Sequence, residues 1–130
     1  MPIAAMRVAR PTTDLARIRA FYEDAVGLSV LWTFEDHDGF DGVIFAIHGE
    51  LAQLEIVQTP HGTAPRPTAE DVLVLYLASP STVAEMGDRL LAHGATAVPD
   101  DDAALNPYWP ANGAVTFVDP DGYRLVISPE

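Results

Sequence analysis

The first part of the chain alternates between the apolar patterns of strands and of a helix. A short stretch at residues 6–10 mixes apolar side chains with arginine and is stopped by Pro11, which predicts a strand. Asp14 then follows two threonines, a typical start for a helix. Apolar residues recur at helical spacing up to Gly27, which is placed to end the helix in a left-handed conformation. Further strands are predicted at residues 28–34, 42–47 and 52–58.

The same order of elements restarts after a proline-rich segment. Residues 59–67 contain three prolines and are predicted to be a linker. Ser79 and Pro80 predict the start of a second helix, which should end at Gly94. Strands are predicted at residues 72–77, 95–98, 113–118 and 123–128, with a long loop through residues 106–110.

An internal repeat connects the two parts. A shift of 71 residues, without a gap, places Gly42 on Gly113 and Leu54 on Leu125. The pattern therefore predicts an α+β protein of two tandem βαβββ modules. Each module has too few strands to bury its own sheet, so we expect the two to pack as one domain. The expected division is module 1 at about 1–60, a linker at about 59–67 and module 2 at about 68–130.

Composition narrows the class of protein. The 130 residues are 48% hydrophobic and 20% charged, which is typical of a globular domain. No apolar run approaches the ~20 residues of a membrane span, and no signal peptide is recognisable, so a cytoplasmic location is expected. Cysteine is absent. A net charge of −12 disfavours nucleic acid and anionic membranes as partners. This negative charge either keeps the protein soluble or attracts cationic ligands.

Four segments carry a resemblance to a known superfamily. They are residues 14–28, 54–56, 93–95 and 117–123, the last containing an Asp-Pro-Asp-Gly turn. Together they resemble the vicinal oxygen chelate superfamily, which includes glyoxalases, bleomycin-resistance proteins and extradiol dioxygenases. Residues 34–39 and 106–109 resemble a smaller bacterial, glyoxalase-like branch. The resemblance implies two open half-barrels around a central cavity, each with one helix behind it, and a homodimer.

The resemblance also implies where a metal would bind. Metal-using members hold a divalent ion with four side chains, one from each of four strands. Carried over to this chain, those positions are Arg7, Glu55, Val72 or Val74, and Val126. Arginine has no lone pair to offer a cation, and valine has no donor atom. We therefore expect no metal at this site. The sequence also has no glycine-rich phosphate loop and no dinucleotide-binding fingerprint, so no cofactor is expected.

Arg7 and Glu55 are the candidates for chemistry. Glu55 shares a strand face with Gln53, opposite Leu54 and Ile56, so it faces the cavity if those apolar residues face the helix. A buried carboxylate needs a partner, and Arg7 is the expected one because the resemblance implies that both residues lie at former ligand positions. The pair is either a structural replacement for the metal or a functional group. In the second case Glu55 acts as a base or cation anchor and Arg7 binds an anion.

Other residues are candidates for binding a ligand. Tyr108 and Trp109 lie in a loop stiffened by prolines, where aromatic rings can stack on a ligand, cover the core or form a dimer contact. His37 is flanked by two aspartates, in a segment typical of a solvated loop. The full set of ligand-binding candidates is Trp109, Tyr108, Asn106, His37, Gln53 and Arg124.

Two functions remain open from the sequence. The first is a protein that binds a small molecule and sequesters a cationic or aromatic compound. The second is a metal-independent lyase or isomerase with Glu55 as base and Arg7 as anion or oxyanion partner. A closed Arg7–Glu55 pair would favour binding, and an open pair beside a ligand would favour catalysis.

Overall fold

The computed structural model describes residues 2–130, in which the predicted succession of elements is present. The strands are β1 Met6–Pro11, β2 Ser29–His37, β3 Phe40–His48, β4 Ala52–Gln58, β5 Val72–Leu77, β6 Thr96–Ala97, β7 Val115–Val118 and β8 Arg124–Pro129. The helices are α1 Leu15–Ala20, continued by a π-helical segment Phe21–Val26, then α2 Pro80–Ala92 and α3 Tyr108–Ala111. The chain divides into two compact units between Pro65 and Arg66, inside the predicted linker.

Each unit contains one open four-stranded sheet of the same topology. The first has the strand order β1-β4-β3-β2 and the second β5-β8-β7-β6. In both sheets one pair of neighbours is parallel, β1 with β4 and β5 with β8. The other neighbouring strands are antiparallel. This arrangement confirms the tandem βαβββ prediction.

The register of the two sheets is equivalent except for one residue. Phe45 pairs with Leu54 in the first unit, and Phe117 pairs with Leu125 in the second. The last strands are therefore 71 residues apart, as predicted, but β3 and β7 are 72 apart. The ungapped alignment was wrong for β7, because the turn around residues 119–122 is one residue shorter than its counterpart.

One face of each sheet packs against its helix. Leu54 and Ile56 are buried on the helix side of β4, where Tyr22 meets Phe45 at a ring-centroid distance of 6.2 Å. In the second unit Leu125 and Ile127 are buried on the corresponding face of β8. These apolar faces explain why the alternate residues, Glu55 among them, lie on the other side of the sheet.

Both helical segments end in the same way. Gly27 adopts φ 84°, and the Leu28 N–H donates to the Tyr22 carbonyl at 2.9 Å. Gly94 adopts φ 98°, and the Ala95 N–H donates to the Leu90 carbonyl at 3.0 Å. Such bonds satisfy the carbonyls of the last turn, and they need a left-handed residue that glycine supplies without strain. The two predicted helix ends are confirmed.

Two predicted loops are regular structure instead. The acidic segment around His37 belongs to strand β2, which continues through a two-residue turn, Asp38–Gly39, into β3. The segment at residues 106–110 contains the four-residue helix α3. Among the described residues, no helix combines the length and apolar character needed to cross a bilayer.

Candidate functional site

The sheet face of the first unit that turns away from its helix carries a cavity of about 480 Å³. This volume falls in the range of sites for small organic ligands. The cavity is lined by Arg7, Phe34, His37, Asp38, Phe40, Ile44, Glu55 and Val57. Three of the residues predicted from the sequence, Arg7, Glu55 and His37, therefore share one wall.

Arg7 and Glu55 are in contact, as expected from the ligand positions that the superfamily resemblance implies. The Arg7 Nη1 atom donates to Glu55 Oε1 at 3.2 Å, and Arg7 Nε donates to Gln53 Oε1 at 2.9 Å. Gln53 is itself held by a bond from its Nε2 to the Glu50 carbonyl at 2.8 Å. The glutamine thus fixes the guanidinium in front of the carboxylate, so the pair is closed.

The pair is less buried than expected. The side chain of Arg7 is 43% exposed and that of Glu55 is 19% exposed. Solvent screens an ion pair at such a position, so its contribution to stability is small. The expectation of a buried pair was therefore wrong: the arginine lies on β1, an edge strand of its sheet, and the carboxylate is only partly buried.

Aromatic rings form the apolar part of the wall. Phe34 in β2 lies opposite Gly42 in β3, and its ring occupies the space that a Cβ atom at position 42 would need. Phe40 contacts His61 edge-on at a ring-centroid distance of 6.3 Å. Gly42 therefore lets a phenylalanine lie flat across the strand and close one side of the cavity.

A tight turn between β2 and β3 brings two residues of the cavity wall side by side. Asp38 and Gly39 have φ angles of 54° and 86°, the positive values that a type I′ hairpin requires. His37 and Phe40 are paired across the turn, and both line the cavity. The Asp-Gly dipeptide was the sequence signal for this hairpin.

The second unit has a smaller cavity on the corresponding face of its own sheet, with a volume of about 130 Å³. Three predicted residues line it: Asn106, Trp109 and Arg124. Thr116, which the sequence analysis missed, lies on the same wall. Its only signal in the sequence is a hydroxyl residue in the middle of a short apolar strand. The other lining residues are Ala69, Glu70, Val72, Ala104, Leu105 and Val126.

Tyr108 is placed differently from its neighbour. Its side chain is exposed and contacts Trp109 edge-on at a ring-centroid distance of 5.1 Å, but it does not line the cavity. In the short helix α3, consecutive side chains diverge by about 100°, so only one of the two rings can reach the wall.

The strand register resolves the ambiguous repeat partner of Arg7. Arg7 pairs with Gln53, and Val72 pairs with Arg124. Gln53 and Arg124 are 71 residues apart, so Val72, not Val74, is the counterpart of Arg7. Val126 is the counterpart of Glu55 by the same shift. Where the first unit places an arginine and a glutamate, the second places two valines.

The described residues contain no cluster of three or more histidine, cysteine, aspartate or glutamate side chains suited to hold a metal ion. At the superfamily's ligand positions, the first unit offers a carboxylate already bonded to a guanidinium. The second unit has only valine side chains at these positions, Val72 and Val126. This donor set does not fit a divalent cation, which needs several oxygen or nitrogen ligands.

Comparisons with known sequences identify close relatives. The pattern of the YycE-like N-terminal domain matches residues 6–57, and that of the YycE-like C-terminal domain matches residues 70–128. The uncharacterised protein YycE of Bacillus subtilis (strain 168) is 39% identical over 124 residues, which cover 95% of this chain and 86% of YycE.

Solved structures show the same fold. The crystal structure of YycE, a protein of unknown function, superposes with a TM-score of 0.86 at 36% identity, over 96% of this chain and 88% of that one. Glyoxalase I of Leishmania major gives 0.74 at 19% identity, over 99% and 88%. TnmS3, an antibiotic-binding protein of Streptomyces sp. CB03234, gives 0.68 at 22% identity, over 99% and 98%. The predicted glyoxalase/bleomycin-resistance fold is therefore confirmed.

Proposed function

This chain belongs to the YycE-like family, and we propose that it binds a small cationic or aromatic molecule without using a metal ion. The observation that carries the proposal is the cavity of the first unit, which combines aromatic walls with a carboxylate. Its volume of about 480 Å³ suits an organic ligand. The likeness in fold to an antibiotic-binding protein is compatible with this function.

Preference for a cation rests on the polar groups of the cavity. Within residues 2–130, Glu55 accepts a side-chain hydrogen bond at Oε1 alone, so Oε2 is available to a ligand. Asp38 lies on the same wall, beside Phe34 and Phe40. A cation over a phenylalanine face gains about 0.5–2 kcal/mol. The chain's net charge of −12 further attracts cations.

Sequestration without a metal is supported by the residues at the superfamily's ligand positions. In the first unit the guanidinium of Arg7 lies 3.2 Å from Glu55 Oε1 and so places a positive charge beside the carboxylate, where metal-using members would have the ion. Val126 in the second unit, the counterpart of Glu55, has no atom that could coordinate. The closed pair also favours binding over catalysis, because Glu55 already accepts a bond from Arg7.

Metal-independent catalysis is the second candidate. A carboxylate and a guanidinium on one cavity wall could act as base and oxyanion partner, if a substrate separated them. Conversion of a bound compound by the wild-type protein, followed by NMR and lost in Glu55→Gln, would favour this candidate over sequestration.

Calorimetric titration with benzyltrimethylammonium, which joins a ring to a fixed positive charge, tests the binding proposal. We expect it to bind more tightly than tetramethylammonium, which lacks the ring, and benzyl alcohol, which lacks the charge. Glu55→Gln should weaken binding about 5- to 10-fold, as loss of one charged contact does. Glu85→Gln, in an exposed position of α2, is the matched control. Equal binding of all three probes, or no effect of Glu55→Gln, would contradict the proposal.

A further inference from the structure

Thr116 carries a buried hydroxyl group that has no partner. The residue lies in β7 and is 3% exposed. Its Oγ1 atom makes no hydrogen bond to any of residues 2–130. Buried polar atoms in folded proteins are nearly always bonded, and an exception calls for a ligand or a functional reason. Thr116 lines the cavity of the second unit, so a molecule bound there could satisfy the hydroxyl.

Arg124 lies on the same wall, and its guanidinium makes one long ion pair. Its side chain is 14% exposed, and its nearest carboxylate, Asp102, approaches no closer than 4.0 Å. That distance is too long for a hydrogen bond, and the described residues accept none from its guanidinium. A largely buried guanidinium presents five N–H donors in a planar fork, which matches a carboxylate or another oxyanion.

A third donor completes the polar set. The Oδ1 atom of Asn106 accepts a bond from the Tyr108 N–H at 3.0 Å, which fixes the side chain and leaves its Nδ2 group to donate. The apolar part of the cavity wall includes Trp109, Val72 and Val126. The cavity thus joins three donors to a small hydrocarbon surface.

Size and charge restrict the ligand. A volume of about 130 Å³ corresponds to about four water molecules at ~30 Å³ each. Glu70 also lines the cavity, and its negative charge opposes a doubly charged phosphate more than a singly charged carboxylate.

We propose that the cavity of the second unit binds the carboxylate of a short monocarboxylic acid with two to four carbons. Arg124 binds the carboxylate, Thr116 donates a hydrogen bond to it, and the short alkyl chain lies against Trp109. All these residues belong to the second unit, and none of them lines the cavity proposed to bind a cation in the first unit, so the two proposals are tested on different residues. Each site can fail its test without affecting the other.

Titration of the ¹⁵N-labelled protein with propionate, monitored by NMR, tests the proposal. We expect saturable shifts at the Trp109 indole N–H and the Thr116 amide, with a dissociation constant on the order of millimolar for so small a ligand. Propionamide, which has the same shape without the charge, should bind at least about 10-fold more weakly. Inorganic phosphate should bind more weakly than propionate.

Substitutions at the two donors complete the test. Thr116→Val preserves the shape and should weaken propionate binding about 5- to 10-fold, while the unliganded protein unfolds at a higher urea concentration because a buried unbonded hydroxyl is gone. Arg124→Met should abolish saturable binding. Thr96→Val and Arg66→Met, in the same unit but outside the cavity, are the controls. Unchanged affinity in Thr116→Val, equal binding of propionamide, or tighter binding of phosphate would overturn the proposal.

Discussion

The two units share one backbone plan and differ on the faces that carry their cavities. The helix side is apolar in both, with Leu54 and Leu125 in equivalent places. On the other side, Arg7 and Glu55 in the first unit correspond to Val72 and Val126 in the second. The single charged residue in strands β5 to β8 is Arg124, which is the counterpart of Gln53. The two units therefore have the same packing on the helix side and different chemistry in their cavities.

The equivalence of the helix-side faces can be tested at their centres. Leu54 is 1% exposed and Leu125 is 0% exposed. Leu54→Ala and Leu125→Ala should each lower the free energy of unfolding by about 2–5 kcal/mol, because each leaves a cavity in a packed core. Urea unfolding monitored by circular dichroism measures both losses. A loss below about 1 kcal/mol in either variant would show that the two faces are not equivalent cores.

A glycine in the first unit sharpens the contrast between the cavities. Gly42→Ala places a methyl group where the Phe34 ring lies, and we expect a loss of about 1–3 kcal/mol from overpacking. The double variant Gly42→Ala/Phe34→Leu should recover part of that loss, because the smaller side chain leaves room. Binding of benzyltrimethylammonium should fall in the single variant, since the displaced ring is part of its wall. Additive losses in the double variant would mean that the two residues do not compete for space.

The Arg7–Glu55 pair should contribute only modestly to stability. Because Arg7 is 43% exposed, we expect Arg7→Ala to cost about 1 kcal/mol, well below the 3–5 kcal/mol of breaking a buried pair. A double-mutant cycle of Arg7→Ala and Glu55→Ala, measured by urea unfolding, should give a coupling energy of about 0.2–1 kcal/mol. A coupling above about 2 kcal/mol would show that solvent does not screen the pair.

Patterns in the sequence were sufficient for the architecture because local and long-range signals agreed. Gly27, Gly94 and Ser79 mark helix ends by their own chemistry, and Ser79 caps α2 by accepting from the Thr82 N–H at 3.2 Å. The contact between Arg7 and Glu55 was expected because the resemblance to the superfamily implies that both residues lie at ligand positions around one cavity. At the helix ends, each of these residue types is favoured at one particular position, so the sequence predicts where the helix begins or ends.

The remaining features depend on geometry that a pattern does not contain. The acidic residues around Asp38 led to the prediction of a solvated loop. The segment is instead a hairpin, because the pairing of β2 with β3 continues up to His37 and Phe40. The shorter turn near Asp119, whose Oδ1 atom accepts from the N–H groups of Asp121 and Tyr123 at 2.9 Å, shifted the register of β7 by one residue. The unbonded hydroxyl of Thr116 could not be predicted, because bonding depends on every neighbour in three dimensions.

The central proposal is that the first unit binds a ligand in its cavity without the metal ion that other members of the superfamily use. Elemental analysis of the purified protein, followed by calorimetric titration with nickel, manganese and zinc, tests it most directly. We expect less than about 0.1 metal ion per chain and no stoichiometric binding, because only Glu55 offers a donor at the superfamily's ligand positions. One metal ion bound per chain in the wild-type protein, and lost in Glu55→Gln, would contradict the account.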